Sequence, residues 1–109
     1  MTSFGLTDSE QEMIRAVLRR HAEVTEARIF GSRATGNFQP DSDIDLALWG
    51  NLSLSAIAAI AGELDELSLP YMFDVQAYDS IRHPPLREHI DRIGQIFYSR
   101  AGEPAFAKR

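Results

Sequence analysis

The apolar positions of this 109-residue chain switch between two periods. Ile14, Val17, Leu18 and His21 recur at helical spacing and predict a helix over residues 8–22. Thr7-Asp8-Ser9-Glu10 opens it as a capping box, with Thr7 as N-cap and Glu10 reaching back. The period then falls to two. Residues 26–30 read as a short strand running into Gly31-Ser32. Ile44, Leu46 and Leu48 alternate with Asp43, Asp45 and Ala47 in a second strand, which Gly50-Asn51 ends. Ile57, Ile60, Leu64 and Leu67 form one stripe of a helix that Ser53 or Ser55 caps and that runs to about residue 67. Residues 71–78 are a third strand, with Phe73, Val75 and Ala77 on one face and Met72, Asp74 and Gln76 on the other. Pro84-Pro85 stops the chain, and Pro85 suits a first helical position. Leu86, Ile90 and Ile93 then give a short helix with Gly94 as its C′ residue, followed by a fourth strand over 95–98.

Helix, strand, strand, helix, strand, helix, strand predicts an α/β (α+β) layer: a small mixed sheet of about four strands flanked by helices. Residues 1–6 read as a lead-in. One domain over 1–98 and a flexible tail over 99–109 are expected. Arg15, Arg19 and Arg20 fall on the outer side of the first helix, and Glu63, Asp65 and Glu66 lie off the stripe of the second; both sets read as solvated faces.

Composition narrows the class. An apolar content of 44% in 109 residues suffices for one core. A net charge of −5 argues against a basic nucleic-acid face, so no direct nucleic-acid binding is expected. The absence of Cys excludes a disulfide scaffold and a thiolate zinc site. No apolar run approaches the ~20 residues that span a bilayer, and no basic-then-apolar leader is present. A soluble cytoplasmic protein with no membrane partner is expected.

The chemistry concentrates between Gly31 and Leu46, with one further residue. Asp43 and Asp45 are two apart on a strand, so they share a face with Cα atoms roughly 6.5–7 Å apart. Like charges that close favour a cation between them. Oxygen-only donors suit Mg²⁺, which keeps positions for water and substrate phosphates. Asp74 sits in mid-strand, where Asp is depleted, and joins the pair if the two strands are neighbours. Three carboxylates could hold two metal ions about 3.5–4 Å apart, the arrangement that clamps an in-line phosphoryl or nucleotidyl transfer. Gly31 permits close backbone approach, Ser32 adds a hydroxyl donor, Arg33 a positive charge, and the amides that follow can meet phosphate oxygens. Other readings of this stretch fail on spacing. An EF-hand loop starting at Asp41 would need Gly where Leu46 stands and Glu where Leu52 stands. No Gly-Lys-Ser/Thr follows Gly31, and no Gly-x-Gly-x-x-Gly or Gly-x-Ser-x-Gly occurs. His21 reads as helix packing, His83 and His89 as surface, and Trp49 as core or partner packing.

Taken together, Gly31-Ser32, then Asp43-Ile44-Asp45, then Asp74 on a later strand resemble the signature of the polymerase-β-type nucleotidyltransferase superfamily. The Gly-Ser-Arg-Ala-x-Gly start and the closing run from Ile93 to Tyr98 are similar to its minimal branch, the antitoxin half of HEPN/MNT toxin–antitoxin pairs. The resemblance covers roughly residues 8–98. It implies a polymerase-β-like fold and a site of Gly31, Ser32 and Arg33 on the triphosphate of ATP. It further implies Asp43, Asp45 and Asp74 on Mg²⁺, with Asp74 also able to serve as the base. The implied activity is transfer of AMP from ATP to a tyrosine of a partner HEPN ribonuclease toxin. The alternatives are an antitoxin that neutralises by binding alone and a small-molecule nucleotidyltransferase; the latter usually carries a further substrate domain. One position departs from the pattern. Thr35 stands where many members carry a second Arg, which removes a charge from the triphosphate side.

Overall fold

The computed structural model describes residues 2–100. The elements in chain order are β1 (Thr2–Ser3), β2 (Leu6–Thr7), α1 (Asp8–Arg19), β3 (Val24–Phe30), α2 (Ser32–Thr35), β4 (Ile44–Gly50), α3 (Leu54–Asp65), β5 (Phe73–Ala77), a 3₁₀ turn (Tyr78–Ser80), α4 (Pro84–Ile93) and β6 (Gln95–Ser99). Four strands form one mixed sheet in the order β5-β4-β3-β6. β4 and β5 are parallel, and the other two pairings are antiparallel. Parallel neighbours need a crossover, and α3 supplies it. The predicted α/β layer is therefore present.

The two faces of the sheet are unequal. Ile29, Ile44, Leu46 and Leu48 meet Ile14, Val17 and Leu18 of α1 and Ile60 and Leu64 of α3 in the main core. The opposite face carries a smaller cluster of Phe30, Ala47, Ile81 and Ile90, with Trp49, Tyr78 and Leu86 against it. α4 covers only part of that second face. The acids of β4 and β5 emerge beside it.

Several local expectations hold and others shift. The capping box forms: Thr7 N–H donates to Glu10 Oε1 at 2.9 Å, and Glu10 N–H donates to Thr7 Oγ1 at 3.0 Å. Ser53 caps α3, accepting from Ala56 N–H at 3.1 Å. The lead-in is instead a tight hairpin, β1 paired antiparallel with β2, and its Leu6 is wholly buried. Two-residue strands are too short to show a period. Arg15 is not on a solvated face: its Nε donates to Phe97 O at 2.9 Å, and its guanidinium lies 4.4 Å from the Phe97 ring centre. Glu63 pairs with Arg20 and His21, each at 3.1 Å. Gly94 closes α4 in extended backbone (φ −63°, ψ 138°) rather than left-handed, with its N–H on Ile90 O at 2.8 Å.

Residues 101–109, most of the expected tail, lie outside the described residues. Ser99 and Arg100 belong to the fold. Arg100 N–H donates to Thr25 O at 2.9 Å. Its guanidinium donates to the carbonyls of Val24 and His21, both at 2.9 Å, and of Arg19 at 3.2 Å. It thereby ties the end of α1 to the start of β3. Hydrogen bonds to a charged donor contribute about 1.5–3 kcal/mol each, and they overlap here, so Arg100→Ala should lower stability by about 2–3 kcal/mol. Urea denaturation checks this, with Arg100→Lys recovering only a fraction of the loss.

Candidate active site

At the end of β3 the chain leaves the sheet through Gly31 (φ 74°, ψ −154°) and enters the single turn α2, which Gly36 (φ 89°) closes. The reason Gly stands at position 31 is specific. A Cβ there would overlap Asp45 Oδ2, and the positive φ would strain any L side chain. Ala34 and Thr35 N–H bond back to Gly31 O at 3.1 and 3.3 Å. The amides of Ser32 and Arg33 open the turn and have no carbonyl within it to bond, so they are the donors left for a ligand. The far end of α2 is fixed by a long-range contact: Gln95 Nε2 donates to Ala34 O at 2.8 Å. Thr35, the departure from the family pattern, turns its hydroxyl onto Ser32 O at 3.2 Å.

The sheet brings the three acids to this same end. Phe30 and Asp45 are partners across β3–β4, and Asp45 and Asp74 are partners across β4–β5. Adjacent strands lie about 4.8 Å apart, so Asp45 and Asp74 are side by side on one face. Asp43 precedes β4 by one residue and follows the same alternation. Asp43 and Asp74 are exposed, and Asp45 is half-buried. Burial first, then the charges of Asp74 and Asp43, raise the Asp45 carboxyl against the opposing charge of Arg33, and together they put it at about 6. A crowded carboxylate of this kind is stabilised by a cation, and the all-oxygen donor set fits Mg²⁺. Among the described residues no three acidic or His side chains are drawn into a closed metal cage. Asp74 carries one further contact, from Gln76 Nε2 to its Oδ1 at 3.3 Å.

Arg33 has a different place from the one expected of a phosphate ligand. Its residue is only 2% exposed. Nε and Nη2 donate to Ser42 O at 3.0 and 2.8 Å, Nη2 also to Pro40 O at 3.3 Å, and Nη1 to Phe4 O at 2.8 Å. The rings of Tyr71 and Phe38 lie 4.8 and 5.2 Å from the guanidinium. One buried side chain thus joins the N-terminal hairpin, the loop before the acids and the approach to β5. Tyr71 OH in turn donates to Glu10 Oε2 at 3.1 Å, linking this knot to the α1 cap. Ser42 pins the loop from within: Gln39 N–H donates to its Oγ at 2.8 Å. Gly31, Ser32, Asp43, Asp45 and Asp74 therefore converge, while Arg33 stands behind them. Gln76, Gln95 and the carbonyl partners of Arg33 carried no signal in the sequence. The other expected side chains fall elsewhere: Trp49 stacks on Tyr78 at the opposite end of the sheet, with centroids 4.4 Å apart, and His89 meets the edge of Phe30 at 6.1 Å.

The family model described as polymerase beta, nucleotidyltransferase matches residues 12–103. Among solved structures, the fold is similar to a toxin–antitoxin crystal structure with AMP-PNP (TM-score 0.70, 21% identity, covering 88% of this chain and 78% of that one). It is similar to the toxin–antitoxin MntA–HepT (TM-score 0.65, 18% identity, 92% and 79%). It is also similar to a structure of the tri-AMPylated Shewanella oneidensis HEPN toxin in complex with MNT antitoxin (TM-score 0.63, 19% identity, 88% and 75%). At these identities the likeness is one of fold. No curated protein matches the chain.

The raised Asp45 carboxyl gives stability a pH dependence. Between about 4 and about 6 the folded state keeps a proton that the unfolded chain has released, so metal-free stability falls as pH rises through that window. Asp45→Asn should flatten this slope and raise stability at pH 7 by about 1–2 kcal/mol, a figure reduced for partial exposure. Thermal melts in EDTA at about pH 4.5, where the folded carboxyl is still protonated, and at about pH 7, where it is ionised, check it. Arg33→Lys should cost about 2–4 kcal/mol, because an ammonium cannot span three carbonyls and leaves buried acceptors unmet. Chemical denaturation measures that loss.

Proposed function

The chain belongs to the polymerase beta nucleotidyltransferase family, and from that premise we propose that it transfers AMP from ATP to a tyrosine hydroxyl of a partner HEPN-domain toxin, neutralising it. The observation that carries the reading is the pairing of Asp45 with Asp74 across β4–β5, with Asp43 on the same face and the Gly31–Ser32 turn against Asp45. The toxin–antitoxin structures with a similar fold, one with AMP-PNP and one with an AMPylated toxin, support the choice of nucleotide and acceptor.

In this mechanism the Ser32 hydroxyl and the amides of Ser32 and Arg33 meet the triphosphate. Asp43, Asp45 and Asp74 would hold Mg²⁺, which when bound supplies neutralisation of charge on the phosphate oxygens. The tyrosine oxygen attacks the α-phosphorus. The bond from that phosphorus to the bridging oxygen breaks, and pyrophosphate leaves. Asp74, an exposed carboxylate, takes the proton of the tyrosine hydroxyl. Arg33 acts from behind, holding the loop that presents Asp43 and lowering the cost of charge on Asp45. The work of the chain's own residues is positioning and charge stabilisation. No helix among the described residues is long and apolar enough to cross a membrane. ATP and a ribonuclease partner place the reaction in the cytoplasm under this proposal.

Incubation with ATP, Mg²⁺ and a cognate HEPN-domain protein should add an AMP-sized mass to a partner tyrosine. Asp43→Ala should abolish the gain while leaving the fold intact. If wild type adds no mass, the transferase reading fails. Full protection of cells by Asp43→Ala would instead show that contact alone neutralises the toxin.

A further inference from the structure

Asp74 is an exposed member of the carboxylate set that has a side-chain partner on its own strand. It is a carboxylate beside another carboxylate, so repulsion from Asp45 drives it to rotate outward unless something holds it. The neighbour that can do so is Gln76. It lies two residues further along β5, on the same face, and donates from Nε2 to Asp74 Oδ1 at 3.3 Å. Its partner across β4–β5 is Ala47, a small buried residue that projects no polar group to compete for the amide.

We propose that Gln76 is a positioning residue for Asp74: its side-chain amide occupies Oδ1 and leaves Oδ2 for the cation that accompanies the nucleotide. This inference rests on the nucleotidyl-transfer reading. An exposed hydrogen bond of this length contributes little to folding, so a residue kept there only for stability would be replaceable at no cost. A residue that orients a carboxylate acts on cation affinity instead, since outer partners of ligating carboxylates alter affinity by about 10–100-fold when removed. The bond is solvent-facing, which places the effect at the low end.

The test is the Mg²⁺ concentration that half-saturates ATP binding, measured calorimetrically on the full chain without any acceptor. Gln76→Met keeps the length and removes the donor. It should raise that concentration about 3–10-fold, below the full range for buried partners, while the melting temperature in EDTA stays at the wild-type value. In an Asp74→Asn background the same substitution should add nothing, which is the signature of action through Asp74. A Gln76→Met protein that titrates like wild type overturns the proposal. So does an effect of equal size in the Asp74→Asn background, or a fall in melting temperature that accounts for the loss. Wild type showing no Mg²⁺-dependent ATP binding would defeat the nucleotidyl-transfer reading itself, and this inference with it.

Discussion

The Asp45 carboxylate stands against the backbone of Gly31, in the space a Cβ would fill, and the acid-bearing end of the sheet depends on that contact. It fixes the residue type at position 31, because only Gly leaves the room and accepts the backbone angle. It brings the turn that offers free amides to the acids that would hold a cation. It also takes Asp45 partly out of water, and with Asp74 and Asp43 nearby this raises its carboxyl to about 6. The site is therefore least comfortable when ionised and empty of cation. Like charge stored in this way is relieved by a cation, and under the proposed function that cation arrives with the nucleotide.

Such an arrangement needs a rigid surround, and Arg33 provides it. A buried guanidinium is tolerable only when its donors are met, and here the carbonyls of Phe4, Pro40 and Ser42 meet them. The N-terminal hairpin, short as it is, thus has a role at the site: it delivers the Phe4 carbonyl. The far end of the sheet is closed separately. Arg28, Trp49, Tyr78 and Arg87 form a layered stack there, with Arg28 4.9 Å from the Trp49 ring centre and Arg87 4.4 Å from that of Tyr78. Tyr78 OH adds a bond to Asp91 at 2.6 Å, fastening α4 to the sheet. One end is thus bound by apolar and cation–π contacts, and the other is left polar.

Much of this was readable from the residues. The alternation of Ile44, Leu46 and Leu48 with Asp43 and Asp45 fixed both the strand and the face of the acids, since period two leaves no other choice. The cap of α1 followed from Thr7 and Glu10. Asp74 stood out because a strand interior seldom holds an unexplained acid. What was not readable depended on which parts of the chain meet. Arg33 next to Gly31-Ser32 looks like a phosphate ligand, but the hairpin carbonyl and the Ser42 carbonyl turn it inward, and no local pattern encodes those partners. Arg15 looked solvated because its acceptor, Phe97 O, is 82 residues away. The extended closure at Gly94 arises because the chain must enter β6 at once, leaving no room for a left-handed residue.

The account centres on a cation gathered by Asp43, Asp45 and Asp74 beside the Gly31–Ser32 turn. Anomalous diffraction from crystals grown with Mn²⁺ and a non-hydrolysable ATP analogue locates that cation directly. The account predicts a manganese peak within bonding distance of Asp43 and Asp45, about 2.0–2.3 Å for a hard cation on carboxylate oxygen, and phosphate oxygens against the Ser32 amide. An analogue bound elsewhere, or bound at the turn with no metal on Asp43 or Asp45, would contradict it.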